Sequence, residues 1–270
     1  MQNKNVCMLS SEMSDVVALL DQARQITVLT GAGMAAPSGV PTFRGTNGLW
    51  ENRRAEELAT RNAFTADPHG VWAWYAWRRQ RIAECEPNHG HRVLSKWSRL
   101  TRNFTVITQN VDGLHERAGT RNVIPFHGSI WSLKCLLNCQ QQSETWSDND
   151  SGQKNMLPSC PHCGGIARPA VVWFGESIGA AVMQASINAL HCDLFLLIGT
   201  SGLVQPAASF AKEAKSNGAF VVEINTEGTP LSVVADLVFE GSCDDILRQI
   251  DQSRTSEKAR DLNTPSVAKR

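Results

Sequence analysis

Several things are missing from this 270-residue sequence, and each absence narrows what it encodes. Charge of one sign is missing: Lys+Arg and Asp+Glu number 26 each, so the formal net charge is zero. A nucleic-acid binder usually carries a basic excess, so a nucleic-acid partner is not expected. No apolar stretch approaches the roughly 20 residues a membrane helix needs, so no membrane partner is expected either. Met1 to Asp15 lacks a basic start followed by an apolar run, and a secretory signal is therefore not expected. No internal repeat is visible, and tyrosine is nearly absent, with Tyr75 alone. The eight cysteines do not make a disulfide framework, because the chain is too long and too rich in apolar residues for that class. Cys7, Cys85, Cys192 and Cys243 are scattered as packing residues would be. These features fit a cytoplasmic enzyme.

What is present begins with short apolar runs that stop at Gly, Ser, Asn or Thr. They are Ile26–Thr30, Phe104–Thr108, Leu194–Ile198, Phe220–Ile224 and Leu237–Phe239. Runs without polar alternation suit strands buried on both faces, hence a parallel sheet. Helical spacing lies between them at Ser11–Arg24, Pro206–Ser216 and Asp244–Gln252. This alternation predicts a doubly wound α/β sheet. Two stretches interrupt it. Residues 45–102 read as helical without a convincing strand, and residues 130–168 are polar and hold two cysteine pairs. Both are expected as insertions that together make a smaller lobe.

The strand Ile26–Thr30 runs into Gly31-Ala32-Gly33-Met34-Ala35-Ala36, a G-x-G-x-x-A turn. Glycines there let a backbone approach a pyrophosphate, with helix amides facing the charge. A plain tight turn is the equal alternative. The acid-bearing second strand of a hydride-transfer dehydrogenase does not follow, since Pro37–Gly45 is loop chemistry. Cys135-x3-Cys139 and Cys160-x2-Cys163 have zinc-knuckle spacing, and four thiolates close a tetrahedron with no open position. Another cysteine or a disulfide remains an alternative there.

The run Gly31 to Trp50 resembles the cofactor loop of the sirtuins, a family of NAD-dependent deacylases. The resemblance continues at Thr108–His115, at His127-Gly128-Ser129, at the paired cysteines and at Arg168–Glu176. It takes in Gly199-Thr200-Ser201 and Asn225 and fades after Cys243. It implies a Rossmann-like parallel sheet domain with a smaller zinc-binding and helical lobe inserted. The sheet domain would take residues 14–44, 104–130 and 169–252, the helical module 45–103 and the zinc module 131–168. Residues 253–270 are charged and polar, and are expected to be a disordered tail.

By that resemblance NAD is the co-substrate and zinc a structural ion. The cofactor site would draw on Gly31, Ala32, Gly33, Val40, Phe43, Arg44 and Trp50, and on Gln109, Asn110, Val111 and Asp112. Gly199, Thr200, Ser201 and Asn225 would hold phosphates and the adenosine ribose, with Thr226, Glu227 and Cys243 toward the adenine. Unaided, Asn110–Asp112 is a turn after a strand, and His127 is one of seven histidines. The resemblance makes His127 the catalytic base and Asn110 its companion. In the implied mechanism the acyl-lysine carbonyl oxygen attacks the ribose carbon bearing nicotinamide. His127 then helps a ribose hydroxyl attack the resulting imidate, and water yields lysine and O-acyl-ADP-ribose. An NAD hydrolase or ADP-ribosyltransferase would use the same pocket, and a non-catalytic NAD sensor the same fold.

The segments Val172-Trp173-Phe174-Gly175 and Gly202-Leu203-Val204 resemble the two edges that clamp an acyl-lysine peptide as an added strand. Tyr75 and Arg78 share a helix face at i,i+3 and resemble the Tyr-x-x-Arg signature of sirtuins that remove succinyl and malonyl groups. The small Ala59 would leave room for such a group. The alternative is an amphipathic helix whose Arg78, Arg79 and Arg81 are solvated. Ala35 and Pro37 depart from the family loop, which has Ser and an acid there, and weaker NAD binding is the expected cost. The chain is expected to be a monomer.

Overall fold

All five apolar runs become strands. The computed structural model describes residues 2–41, 49–50, 53–139, 145–148 and 157–263. Helix α1 (Gln2–Gln22) leads into strand β1 (Gln25–Thr30) and the short helix α2 (Ala32–Ala35). An antiparallel pair, β2 (Leu49–Trp50) and β3 (Arg53–Arg54), precedes helices α3 (Ala55–Leu58), α4 (Arg61–Ala66), α5 (Pro68–Ala83) and α6 (His89–Leu100). Strand β4 (Asn103–Thr108), the single turn α7 (Leu114–Arg117) and strand β5 (Val123–Pro125) follow. Next come β6 (Gly128–Cys135), β7 (Thr145–Ser147) and β8 (Ala167–Val171). Helix α8 (Ala180–Ala189), β9 (Leu194–Ile198), α9 (Phe210–Ser216), β10 (Phe220–Asn225), β11 (Leu237–Glu240) and α10 (Cys243–Asn263) complete the chain.

Six strands form one parallel sheet in the order β11-β10-β9-β1-β4-β5. Counted along the chain within that sheet, the order is 3-2-1-4-5-6, that of the doubly wound dinucleotide-binding fold. Side chains alternate between faces. Ile26 and Val28 pack with Leu20 of α1, Leu94 of α6 and Leu247 of α10. Leu29 and Leu197 face the other way, onto Leu190, Phe210 and Ala214. Apolar residues thus serve both faces, and that is why these strands read as unbroken runs.

The second sheet has three strands, in the order β7-β6-β8. Helix α5 starts at Pro68, with the Asp67 carboxylate accepting from Gly70 N at 2.8 Å. It packs against the inner end of this sheet, where Trp74 and Tyr75 join Leu58, Phe64, Ile130, Val171 and Trp173 in one cluster. The two insertions therefore share a core.

Three expectations need correction. The stretch read as strandless contains β2 and β3, which are too short for any periodicity to show. The boundaries drawn at 130/131 and 168/169 fall inside β6 and β8, because these strands pair from Gly128–Val171 outward. Residues 253–263 are not a disordered tail: α10 continues to Asn263. Buried Arg254 anchors that extension, with its Nε donating to Asp21 of α1 at 2.8 Å. A segment with one such anchor has the composition of a solvated tail. Among the described residues no helix is long and apolar enough to cross a membrane.

Candidate active site

The order of the sheet reverses between β1 and β9, and their carboxyl ends lie level, with Thr30 beside Ile198. The turns that follow are pressed together. Gly31 N donates to Ile198 O at 3.0 Å and Gly33 N to Gly199 O at 2.8 Å. A Cβ on Gly33 would lie 2.7 Å from the Gly199 Cα, and one on Gly199, whose φ is +59°, would lie 2.5 Å from Met34 N. The glycines thus serve a backbone-to-backbone contact at the switch point. Helix α2 has only four residues, and the Gly33 and Met34 amides already donate to protein carbonyls. The expected array of helix amides facing a phosphate is correspondingly reduced.

Strand β4 ends at the same level, with Thr108 beside Thr30. Thr30 Oγ1 donates to Thr108 Oγ1 at 2.9 Å, and Thr108 Oγ1 accepts from Asn110 N at 3.1 Å. Asn110 is buried and its Nδ2 donates to Gly31 O at 2.9 Å. Gln109 Nε2 donates to Thr200 Oγ1 at 2.9 Å. Asn225 Nδ2 donates to Thr200 O at 2.8 Å. The predicted cofactor residues after β1, β4, β9 and β10 are therefore wired to one another at one edge of the sheet, where such sheets bind ligands.

His127 sits on the link between the two sheets, after β5 and directly before β6. Its carbonyl accepts from Val172 N at 2.9 Å, so both chain crossings meet there. Nδ1 lies 3.0 Å from Gln109 O. A carbonyl only accepts, so Nδ1 carries the proton and Nε2 of the neutral ring keeps a free lone pair. Burial pushes the His127 pKa down, against the opposing pull of that carbonyl. The ring is consequently neutral at neutral pH and fit to accept a proton.

A pocket beside these turns is lined by Ala32, Ala35, Val40, Arg78, Asn110 and Asp112. Val111 also contributes to its wall, and Val111 O accepts from Ile130 N at 2.9 Å. Burial raises the Asp112 pKa to about 6, against the Leu114 amide that donates to its Oδ1 at 2.8 Å. Arg78 is buried, and that burial lowers its pKa. The alternative of three solvated arginines on α5 fails for two of them. Arg79 is fully buried, bonded to Ile130 O and Asp148, and only Arg81 is exposed. Tyr75 is buried one turn before Arg78, and its hydroxyl accepts from Trp173 Nε1 at 2.9 Å.

Ala59 O accepts from Phe174 N at 2.9 Å, which fastens the helical insertion to the segment after β8. Phe174 and Leu203, one on each of the two segments expected to clamp a peptide, are exposed at 47% and 53%. Gly175 and Gly202 have positive φ, and Val204 lies on the second of these segments, its carbonyl accepting from Ala208 N. Ser201 is half-buried, while Thr226 and Glu227 are exposed on the loop after β10. Cys243, expected toward the adenine, is buried and donates to Gly33 O at 3.3 Å, so it ties α10 to the glycine turn. Phe43 and Arg44 lie outside the described residues, and Trp50 is placed only by its backbone in β2. Two features escaped the sequence reading. Glu223, an acid inside an apolar run, is 1% exposed and accepts from Thr229 and Ser232 hydroxyls at 2.6 Å each, holding the loop after β10. His115 Nε2 lies 3.0 Å from Thr30 Oγ1, beneath the threonine pair. The acid in β10 was a visible signal; the threonine pairing needed the strand register.

At the far end of the second sheet the sulfurs of Cys135, Cys139, Cys160 and Cys163 lie within 4.8 Å of one another, and none is in a disulfide. Two of the separations are 3.7 and 3.6 Å. A tetrahedron with zinc–sulfur bonds of about 2.3 Å has edges of roughly 3.8 Å. Four thiolates fill that tetrahedron, so the group fits a structural zinc ion.

Comparison with known proteins agrees with this geometry. An NAD-dependent protein deacylase of Aquifex aeolicus is 45% identical over 226 residues, covering 83% of this chain and 93% of that protein. A solved complex of a Sir2 homolog with NAD gives a TM-score of 0.82 at 38% identity, covering 89% of this chain and 94% of that one. A Sir2 complex with a p53 peptide and NAD+ gives 0.79 at 26% identity, over 90% and 99% of the two chains. The Sir2 family matches over residues 31–206, a span that takes in both glycine turns, His127 and all four cysteines. On that evidence the chain belongs to the Sir2 family, the sirtuins.

Proposed function

We propose that this sirtuin removes acyl groups from protein lysines at the expense of NAD, that it prefers acyl groups ending in a carboxylate, such as succinyl and malonyl, and that it also accepts acetyl. The products are the free lysine, nicotinamide and O-acyl-ADP-ribose. The NAD reading is supported by the convergence of the glycine turns, Asn110, Asp112 and Thr200 at the switch point. His127 acts as the base through Nε2, held in the required tautomer by Gln109 O. Asn110, fastened to Gly31 O, orients the nicotinamide-side ribose. The backbone after Trp173 and around Gly202 seats the peptide as an added strand, which reads main chain more than side chains. The zinc ion supplies no chemistry and holds the cysteine end of the second sheet.

One observation carries the acyl preference: a buried guanidinium, Arg78, stands in the wall of the pocket that Asn110 and Asp112 line. A guanidinium there can meet a ligand carboxylate in a fork geometry. The test is nicotinamide release from NAD with acetyl-, succinyl- or unmodified-lysine versions of one peptide. Arg78→Met is expected to cut kcat/KM on succinyl peptide roughly 10- to 100-fold, as for a lost charge-assisted bond, and to spare acetyl peptide. Equal losses on both peptides would refute the acidic preference. Release indifferent to any peptide would instead indicate NAD hydrolysis or ADP-ribosyl transfer.

A further inference from the structure

Tyr75 meets a donor where a buried phenol more commonly finds an acceptor. The Trp173 indole N–H reaches its oxygen at 2.9 Å, and the two side chains are 1% and 2% exposed. An indole nitrogen can only donate. Burial raises the Tyr75 pKa, outweighing the indole and the nearby Arg78, so the ring stays a phenol at neutral pH. The indole takes one lone pair of its oxygen, and the phenol's own hydrogen must point away from the indole.

Trp173 is itself braced. The Arg168 guanidinium lies 3.7 Å from the centre of its ring, and Phe64 packs 5.2 Å away, centroid to centroid. Arg168 Nη2 donates to both Glu176 oxygens, at 2.5 and 2.8 Å, and Glu176 Oε2 accepts from Trp173 N at 3.0 Å. Although burial pushes the Glu176 pKa up, these hydrogen bonds hold it below the usual carboxylate range. The indole is thus fixed over Tyr75 by a closed ring of contacts running from β8 to the turn at Glu176.

We propose that Trp173 is a specificity-determining positioning residue: its indole N–H fixes the orientation of the Tyr75 hydroxyl and so turns the phenol hydrogen away from Trp173 and toward the acyl group. The inference rests on the acidic-acyl reading above. In that orientation Tyr75 donates, and Arg78 can only donate, so both present hydrogens to the acyl group. A carboxylate, which only accepts, satisfies both. An acetyl methyl leaves the phenol hydrogen without a partner, at the cost of a buried unsatisfied donor. Without the indole N–H the phenol is free to turn its hydrogen elsewhere, and the discrimination weakens.

The experiment is a double-mutant cycle read as the ratio of kcat/KM on succinyl and acetyl versions of one lysine peptide. The ratio cancels any loss common to both substrates, such as poorer seating of the peptide at Phe174. Trp173→Phe is expected to lower it roughly three- to tenfold, the worth of one neutral hydrogen bond. In a Tyr75→Phe background the same change is expected to leave it unmoved. A ratio unchanged by Trp173→Phe, or changed equally in both backgrounds, overturns the proposal. The benzothienyl isostere of tryptophan at position 173 removes only the N–H and keeps the shape, and is expected to lower the ratio likewise. That variant decides the matter if the phenylalanine protein does not fold. A parent ratio insensitive to both Arg78→Met and Tyr75→Phe would overturn the acidic-acyl reading itself. A ratio that answers to those two and not to position 173 would remove only the present inference.

Discussion

The two sheets of this protein are held together by different means. In the six-stranded sheet, β9 is buried along its whole length and β1 along nearly all of it, with helices covering both faces. Apolar burial at about 25 cal/mol per Å² supplies the stability there. In the three-stranded sheet, β6 buries only Ile130, Leu133 and Cys135 and leaves its other residues half-buried, and the cluster under its outer part is Trp72, Leu133 and Ala167 with Trp146 and Leu157 at the margin. So few apolar side chains do not make an independent core, and four cysteines stand at that end instead. The larger sheet places its functional groups by backbone and side-chain contacts among its own strand ends. The smaller ends in four thiolates placed to hold a metal ion, and His127 lies on the joint between them.

The largest expected effect tests that contrast directly. Cys160→Ser, or removal of zinc by a strong chelator, is expected to cost on the order of 10 kcal/mol of metal-linked stability, confined to the small sheet. Hydrogen exchange should show β6 and β8 amides losing protection while β1 and β9 keep theirs. Nicotinamide release should fall in parallel, because Val172 and His127 share a hydrogen bond at the joint. Full activity after the small sheet has melted would break the comparison.

Next in size, His127→Ala is expected to lower kcat by about 10²- to 10⁴-fold with the fold intact, as for loss of a general base. Because burial holds the His127 pKa below 6.5, parent activity should be level through neutral pH and fall only on acidification below the ordinary histidine range. A fall already under way at pH 7 would contradict a neutral, buried base.

Two glycines with similar backbone angles then sharpen the contrast. Gly199 has φ +59° and is packed against the glycine turn, whereas Gly164 in the small lobe has φ +70° and open space around it. Gly199→Ala should cost about 2–5 kcal/mol, strain and overpacking together, and raise the KM for NAD. Gly164→Ala should cost about 1 kcal/mol. Equal shifts in the denaturation midpoint would mean that backbone angle alone decides.

A comparably small effect comes from Asp112. Its folded pKa, about 6, lies above its ordinary 3.8 because burial penalises the charge. Its contribution is therefore fully present below pH 3.8 and lost as pH rises through about 6. Asp112→Asn keeps an acceptor for Leu114 N and should be more stable than the parent by about 1–2 kcal/mol at pH 7.5. The gain should vanish near pH 4, as thermal melts at the two pH values would show.

Much of this was legible beforehand, and for physical reasons. A strand buried on both faces must be apolar throughout, so Leu194–Ile198 appears with its correct bounds. A tetrahedral metal site needs its thiolates in close pairs, so the cysteine spacing announces the cluster. What stayed hidden depends on partners distant in the chain. Arg79 reads as surface charge until Ile130 O and Asp148 arrive beside it. Residues 253–263 read as a tail because the anchor of that helix, Arg254, finds Asp21 near the other end of the chain. The edges of the cysteine module were misplaced because β6 and β8 pair across the joint.

By itself the sequence determined the fold class, the glycine turns, the metal ligands and the family. Each is written in local pattern: apolar runs, short spacings, small residues in a row. Only the tertiary structure decided which group each polar side chain faces. It turned two glycine turns into one interlocked contact, gave His127 the carbonyl that sets its tautomer, and set a tryptophan from after β8 over a tyrosine of α5. Hydrogen bonds are directional and short, so their partners are chosen by where the strands and helices come to rest, which no local pattern records.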